Sequence, residues 1–346
     1  MDKIKAPFPY AGGKSRVAAE VWSRLGNAGN YVEPFFGSGA VLFARPAAHE
    51  WWNETETVND ADGLLANFWR ATQAEPEVVA RWADWPVNEN DLHARHSWLV
   101  GQKDNLKARL EGDADFYDAK AAGWWVWGIC LWIGGGWCNT NGPWIQVDGE
   151  LVNRNACGQH AEGVKRPRPH LGDAGKGIHR KLPHLGNAGR GHCEAWGDHL
   201  AATMQALGDR LRRVRVCCGD WSRVCGPSPT VRQGLTALFF DPPYSHAERT
   251  ANLYTTETDC AGEVLEWCKS RGDDPRLRIA LCGYDGEHNA LEEAGWDVFA
   301  WKATGGYSHA AIGDSRGKAN AHRERIWFSP HCLRPNAGTE KGLTLI

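Results

Sequence analysis

An apolar run, Ala237 to Phe240, stops in Asp241-Pro242-Pro243-Tyr244. The run is short and unbroken, as a buried strand is. The two prolines that follow end any ladder and remove two backbone donors, which leaves a stiff corner. That corner presents the Asp241 carboxylate and the Pro242 carbonyl as fixed acceptors. Tyr244 offers a flat face beside them. Open α/β sheets bind ligands at the carboxyl ends of their strands. An Asp-Pro-Pro turn by itself reads equally well as a capped loop. Behind an apolar strand and followed by Tyr244, it reads as a site that holds both hydrogens of an exocyclic amine and aims the nitrogen lone pair at an electrophile.

A second corner lies near the start of the chain, in YVEPFFGSGAV at 31–41. A strand from Tyr31 to Phe36, carrying Glu33, turns through Gly37 and Gly39 into a helix over 40–45. Glycines there allow the backbone to approach a ligand closely. The third glycine of the dinucleotide fingerprint is missing, so the turn suits a different cofactor. Thr57 to Asn59 reads as the next strand and ends at Asp60, an acceptor for ribose hydroxyls or a helix N-cap. PYAGGKS at 9–15 bends at Gly12-Gly13 and presents Lys14, and Ser15 is placed to cap a helix carrying Val17, Val21, Trp22 and Leu25. Further strands fall at 214–218, 278–282, 296–301 and 325–328, with helices at 64–69, 200–211 and 263–269. Strands alternating with helices on both sides of an interruption predict an α/β sheet with an inserted unit.

The interruption has its own character. Helical pieces at 76–83, 88–110 and 114–133 give way to a glycine-rich stretch in which PHLGDAGKG recurs as PHLGNAGRG. The whole chain carries a net charge of −3, yet 151–195 is basic. Lys165, Arg166, Arg168, Lys176, Arg180, Lys181 and Arg190 fall there, suited to a phosphate backbone. The run GWWVWGICLWIGGGW at 123–137 is too short and too broken by glycine to span a bilayer. It reads as core, since a chain with 19 tryptophans cannot use tryptophan as a site marker.

The 11 cysteines form no CxxC pair. No metal site is expected, Cys157 with His160 and His192 with Cys193 being the weak candidates. Reduced thiols and an N-terminus without a long apolar run point to a cytoplasmic protein.

Together PFPYAGGKS, YVEPFFGSGAV, CGDW at 218–221, DPPY and ALCGYDGEH at 280–288 resemble the Dam-type, class alpha, adenine-specific DNA N6-methyltransferases. More narrowly, they look like the Trp-rich versions carried by bacteriophages and prophages. The resemblance covers about 5–70 and 196–330. It implies a Rossmann-like S-adenosylmethionine-dependent methyltransferase sheet, with a mostly helical, loop-rich target-recognition insertion. The implied boundaries are a discontinuous catalytic domain at 1–70 and 196–330, a DNA-binding insertion at 71–195 and a tail at 331–346.

The implied cofactor is S-adenosyl-L-methionine, held by Tyr10, Lys14, Glu33, Pro34, Phe35, Gly37, Gly39, Asp60, Asp220 and Asp241. The catalytic residues are Asp241, Pro242, Pro243 and Tyr244, and the partner is double-stranded DNA met by a monomer. Many members carry Trp where Tyr10 stands; Tyr keeps a stacking face. Methylation of cytosine N4 or of RNA, or DNA binding without catalysis, are the alternatives, and Asp at position 241 favours adenine.

Overall fold

The computed structural model describes residues 4–10, 12–46, 54–132, 137–139, 144–147, 150–153, 194–243, 260–302 and 322–335. The first part of the chain forms α1 (Ala18–Leu25), β1 (Asn30–Glu33), α2 (Ala40–Phe43), β2 (Thr55–Asp60) and α3 (Gly63–Ala74). Next come α4 (Pro76–Ala83), α5 (Glu89–Gly112) and α6 (Ala119–Leu131), then a hairpin of β3 (Trp144–Val147) and β4 (Glu150–Asn153). The last part is α7 (Glu194–Leu211), β5 (Val214–Cys218), β6 (Thr236–Phe240), α8 (Ala261–Arg271), β7 (Leu277–Tyr284), α9 (Asn289–Glu293), β8 (Asp297–Ala300) and β9 (Glu324–Phe328).

Seven of these strands build one sheet in the order β5-β2-β1-β6-β7-β9-β8. All its pairings are parallel except those of β9, which runs against both β7 and β8. This is a Rossmann-like α/β sheet. The chain moves outward from β1 to β2 and β5, then returns to β6 on the other side of β1. The order therefore reverses between β1 and β6, the place where such sheets bind ligands.

Strand β6 explains why its sequence reads as continuously apolar. All five of its residues are buried. Ala237 and Phe239 enter one core with Tyr31, Ala280 and Ile326. Leu238 and Phe240 enter the opposite core with Val32, Ile279 and Trp327. A strand covered on both faces shows no polar alternation.

The first core extends without a break into the helices that follow α3. Leu99, Trp125 and Trp127 are buried in the same cluster as Phe68 and Trp69. The tryptophan run is thus core at Trp125, Trp127 and Trp137, as its sequence suggests. α6 starts later than the pattern over 114–133 indicates. Asp118 caps it by accepting from the Ala121 amide at 2.8 Å, and buried Asn67 grips the Asp118 backbone through both an N–H and a C=O. Arg70 donates to the carbonyls of Leu110 (3.0 Å) and Asp113 (3.1 Å), supplying partners at the carboxyl end of α5. Its Nε reaches the Val216 carbonyl on β5 at 2.8 Å.

The helix packing is close enough to require glycine. A Cβ on Gly128 would overlap the Trp137 ring, whose Nε1 donates to the Trp125 carbonyl at 3.1 Å. We expect Gly128→Ala to lower stability by about 1–3 kcal/mol, the usual result of overpacking. Urea denaturation checks this; an unchanged midpoint would show that the indole can move aside.

Candidate active site

Three parallel strands, β2, β1 and β6, deliver acidic residues to one edge of the sheet. β1 ends at Glu33 because Pro34 has no N–H to continue the ladder. Glu33 is buried, and its Oε2 accepts from the Tyr31 hydroxyl at 2.8 Å. Burial, reinforced by Asp241 and Asp60, pushes its carboxyl well above the ordinary glutamate value.

The turn that follows is left-handed at both glycines, with φ of 51° at Gly37 and 66° at Gly39. A Cβ on Gly37 would come within 2.6 Å of the Tyr10 ring. One on Gly39 would come within 2.7 Å of Phe36. Both positions therefore require glycine on conformation and on space. Trp69 pins the turn from α3, its Nε1 donating to the Gly37 carbonyl at 3.0 Å.

Asp60, at the end of β2, binds the same turn. Its Oδ2 accepts from the Gly37 amide and its Oδ1 from the Asp62 amide, both at 2.9 Å. The cap of α3 is Asp62, which accepts from the Leu64 amide at 2.9 Å. Asp60 is thus free of the capping role open to it in sequence. Burial raises its carboxyl from 3.8 to about 6, against the pull of its two amide donors. Beside it, Asn59 donates to the carbonyls of Pro34 (3.1 Å) and Gly219 (3.0 Å), tying the ends of β1 and β5 together.

On the other side of β1, register pairs Val32 with Leu238, so β6 delivers Asp241 just past the same edge. Lys14 reaches it there. Its ammonium donates to Asp241 Oδ2 at 2.7 Å and to the Gly12 carbonyl at 2.9 Å. Burial favours the neutral amine, but Asp241, Cys282 and Glu324 outweigh it and raise the Lys14 pKa above the ordinary lysine value. Ser15 does not cap α1: the Lys14 carbonyl accepts from the Val17 and Ala18 amides, and the helix begins at Ala18.

Residues 10–95 match the D12 class N6 adenine-specific DNA methyltransferase family. The match is to a class of enzymes that methylate adenine in DNA. No curated protein matches the chain significantly.

The fold brings Tyr10, Lys14, Glu33, Gly37, Asp60 and Asp241 into one cluster through the contacts above. Pro242 is buried and Pro243 half-buried. Phe35 stacks against Trp221, with ring centroids 6.4 Å apart. Asp220, just before Trp221, is exposed and caps a short 3-10 turn by accepting from the Ser222 amide at 2.9 Å. Tyr244 lies outside the described residues, as do Lys165, Arg166, Arg168, Lys176, Arg180, Lys181 and Arg190. The weak zinc candidates Cys157, His160, His192 and Cys193 lie outside them too. Among the described residues, no cluster of His, Cys, Asp and Glu could hold a metal ion, and no helix is long and apolar enough to cross a membrane.

Sequence reasoning missed Glu324 and Asn59. Glu324 is buried at the start of β9 and raises the Lys14 pKa. It carries no motif, and only the reversal of β9 brings it to this edge. Asn59 had a faint signal, as a polar residue immediately before the acidic end of a strand.

Proposed function

We propose that the protein uses S-adenosyl-L-methionine as donor and alkylates adenine N6 by direct in-line transfer, on a base turned out of double-stranded DNA. The observation that carries this reading is the Lys14–Asp241 pair at 2.7 Å, which joins the PYAGGK turn to the DPPY corner beside the glycine turn. The residues fit the donor. Gly37 and Gly39 leave bare backbone where a ligand must come close, and Asp60 offers a carboxylate at the end of β2 for ribose hydroxyls. Tyr10, Glu33, Pro34, Phe35 and Asp220 complete that cradle. When bound, the donor supplies an electrophilic methyl group on its sulfonium.

The chain's own residues do the rest. Asp241 and the Pro242 carbonyl accept the two N–H bonds of the amine, and Lys14 holds the carboxylate in its orientation. The amine lone pair is thereby localised and aimed. Alignment of this kind is worth up to about 7–11 kcal/mol of barrier. Pro243 stiffens the corner, and Tyr244 stacks on the base for ~1–3 kcal/mol. That offsets part of the few kcal/mol spent in unstacking. Residues 71–195 engage the duplex, the basic residues from Lys165 to Arg190 meeting phosphates. The protein works as a cytoplasmic monomer. A duplex with 2-aminopurine at the target position tests base extrusion: fluorescence rises on binding if the base leaves the stack, and stays quenched if the reading is wrong.

Asp60 gives the reading a pH signature. Its carboxyl is raised to about 6, and it must be ionised to accept ribose hydroxyls. Donor affinity is expected to weaken as pH falls through about 6, and Asp60→Asn to bind weakly at every pH. Stability moves the opposite way: a raised carboxyl pKa means the folded state holds the proton more tightly, so stability contributed by this group is lost as pH rises from 3.8 to about 6. Equilibrium dialysis of the donor between pH 5 and 8 reads the first effect. A flat affinity would remove Asp60 from the cradle.

A further inference from the structure

The cluster around Lys14 has a second side. β8 ends at Ala300, and the Trp301 amide donates to the Glu324 carbonyl at 3.2 Å, which sets this tryptophan at the ligand edge of the sheet. The Lys14 ammonium, 2.7 Å from Asp241, lies 5.9 Å from the centre of the Trp301 ring. Asp241 therefore stands between two groups. The glycine turn and Asp60 lie toward β1 and β2, while Glu324 and Trp301 lie toward β9 and β8. The indole Nε1 of Trp301 is enclosed and has no acceptor among the described residues. Enclosed polar hydrogens are normally paired, so one on a ring 5.9 Å from the ammonium that holds Asp241 points to a ligand atom.

We propose that Trp301 is a specificity-determining residue of the target-base half of the site, its indole N–H donating to a ring nitrogen next to the amine held by Asp241. This rests on the function proposed above. The chemistry selects an amine flanked by a ring-nitrogen acceptor, an edge that adenine presents and that cytosine shares. Adenine presents its amino hydrogens beside an acceptor, N7, on one edge, and ring nitrogen N1 flanks the amine on the other. A carboxylate acceptor and an indole, which can only donate, form the complement of an amine next to a ring nitrogen. Guanine places a carbonyl where the amine must be and leaves Asp241 facing an acceptor.

Trp301→Phe keeps an aromatic ring and removes the N–H. The test measures kcat/KM for wild type and Trp301→Phe on duplexes carrying adenine, 7-deazaadenine or 1-deazaadenine at the methylated position. Wild type is expected to lose roughly tenfold on one of the two analogues, the value of one hydrogen bond. Trp301→Phe should lose the same roughly tenfold on adenine and little more on that analogue. Equal losses on the analogues for both proteins, or full activity of Trp301→Phe on adenine, overturn the proposal. So does a defect confined to donor binding. Methylation of adenine by wild type reads the proposed function, whereas the coupling between the variant and the analogue reads Trp301 alone. A wild type that transfers no methyl group to DNA would end both.

Discussion

Asp241→Asn is expected to abolish methyl transfer, with kcat reduced by about 10³-fold or more, while the protein still folds and binds its donor. The carboxylate has two oxygens, and Oδ2 already accepts from Lys14 at 2.7 Å. An asparagine can give its one oxygen to Lys14, but its NH2 then faces the amine of the base, donor against donor. The aligned geometry is lost just where alignment contributes most. Because the interaction matters in the transition state, kcat and kcat/KM should fall together. Single-turnover kinetics with saturating donor checks this. A variant retaining a tenth of the wild-type rate would show that Asp241 does not hold the amine.

Lys14→Met is expected to damage both stability and rate. Lys14 is 4% exposed, and removing it leaves Asp241 near Glu33 and Glu324 without the cation that sits among them. Breaking a buried pair from one side typically costs about 3–5 kcal/mol. Methyl transfer should fall by about 10²-fold as the carboxylate loses its orientation, the scale on which a misplaced reacting group is penalised. The pair also predicts coupling. Adding Asp241→Asn to Lys14→Met removes the stranded charge, so the double variant should be more stable than Lys14→Met alone. Urea denaturation of the four proteins decides this; additive losses would mean that the two side chains act independently.

Much of this architecture could be read from local chemistry. Pro34 and the Pro242-Pro243 pair stop strands, and Gly37 and Gly39 must adopt left-handed backbone; each acts within a few residues. The buried strands 236–240 and 277–284 announced themselves because both of their faces are covered. Other features were illegible because they depend on residues far apart in the chain. β2 begins at Thr55, ahead of the apolar signal at 57–59, since parallel pairing with β1 starts there. Polar Glu56 is tolerated within it because Arg45 and Arg210 bond its carboxylate at 2.7–2.9 Å. Asp60 and Asp62 are chemically equivalent in sequence, and only the position of the α3 amides assigns the cap to Asp62. Lys14 and Asp241 stand 227 positions apart, so their pairing waits on the sheet order that seats β6 beside β1. Trp301 and Glu324 reach the site only through the reversed strand β9.

The most direct test follows the methyl group. Duplex DNA is incubated with the protein and methyl-labelled S-adenosyl-L-methionine, then digested to nucleosides and separated. Label recovered as N6-methyladenine from wild type, and absent with Asp241→Asn, is the predicted result. Label in N4-methylcytosine, or equal labelling by the two proteins, would contradict the assignment of the Asp241–Pro242 corner as the grip on an adenine amine.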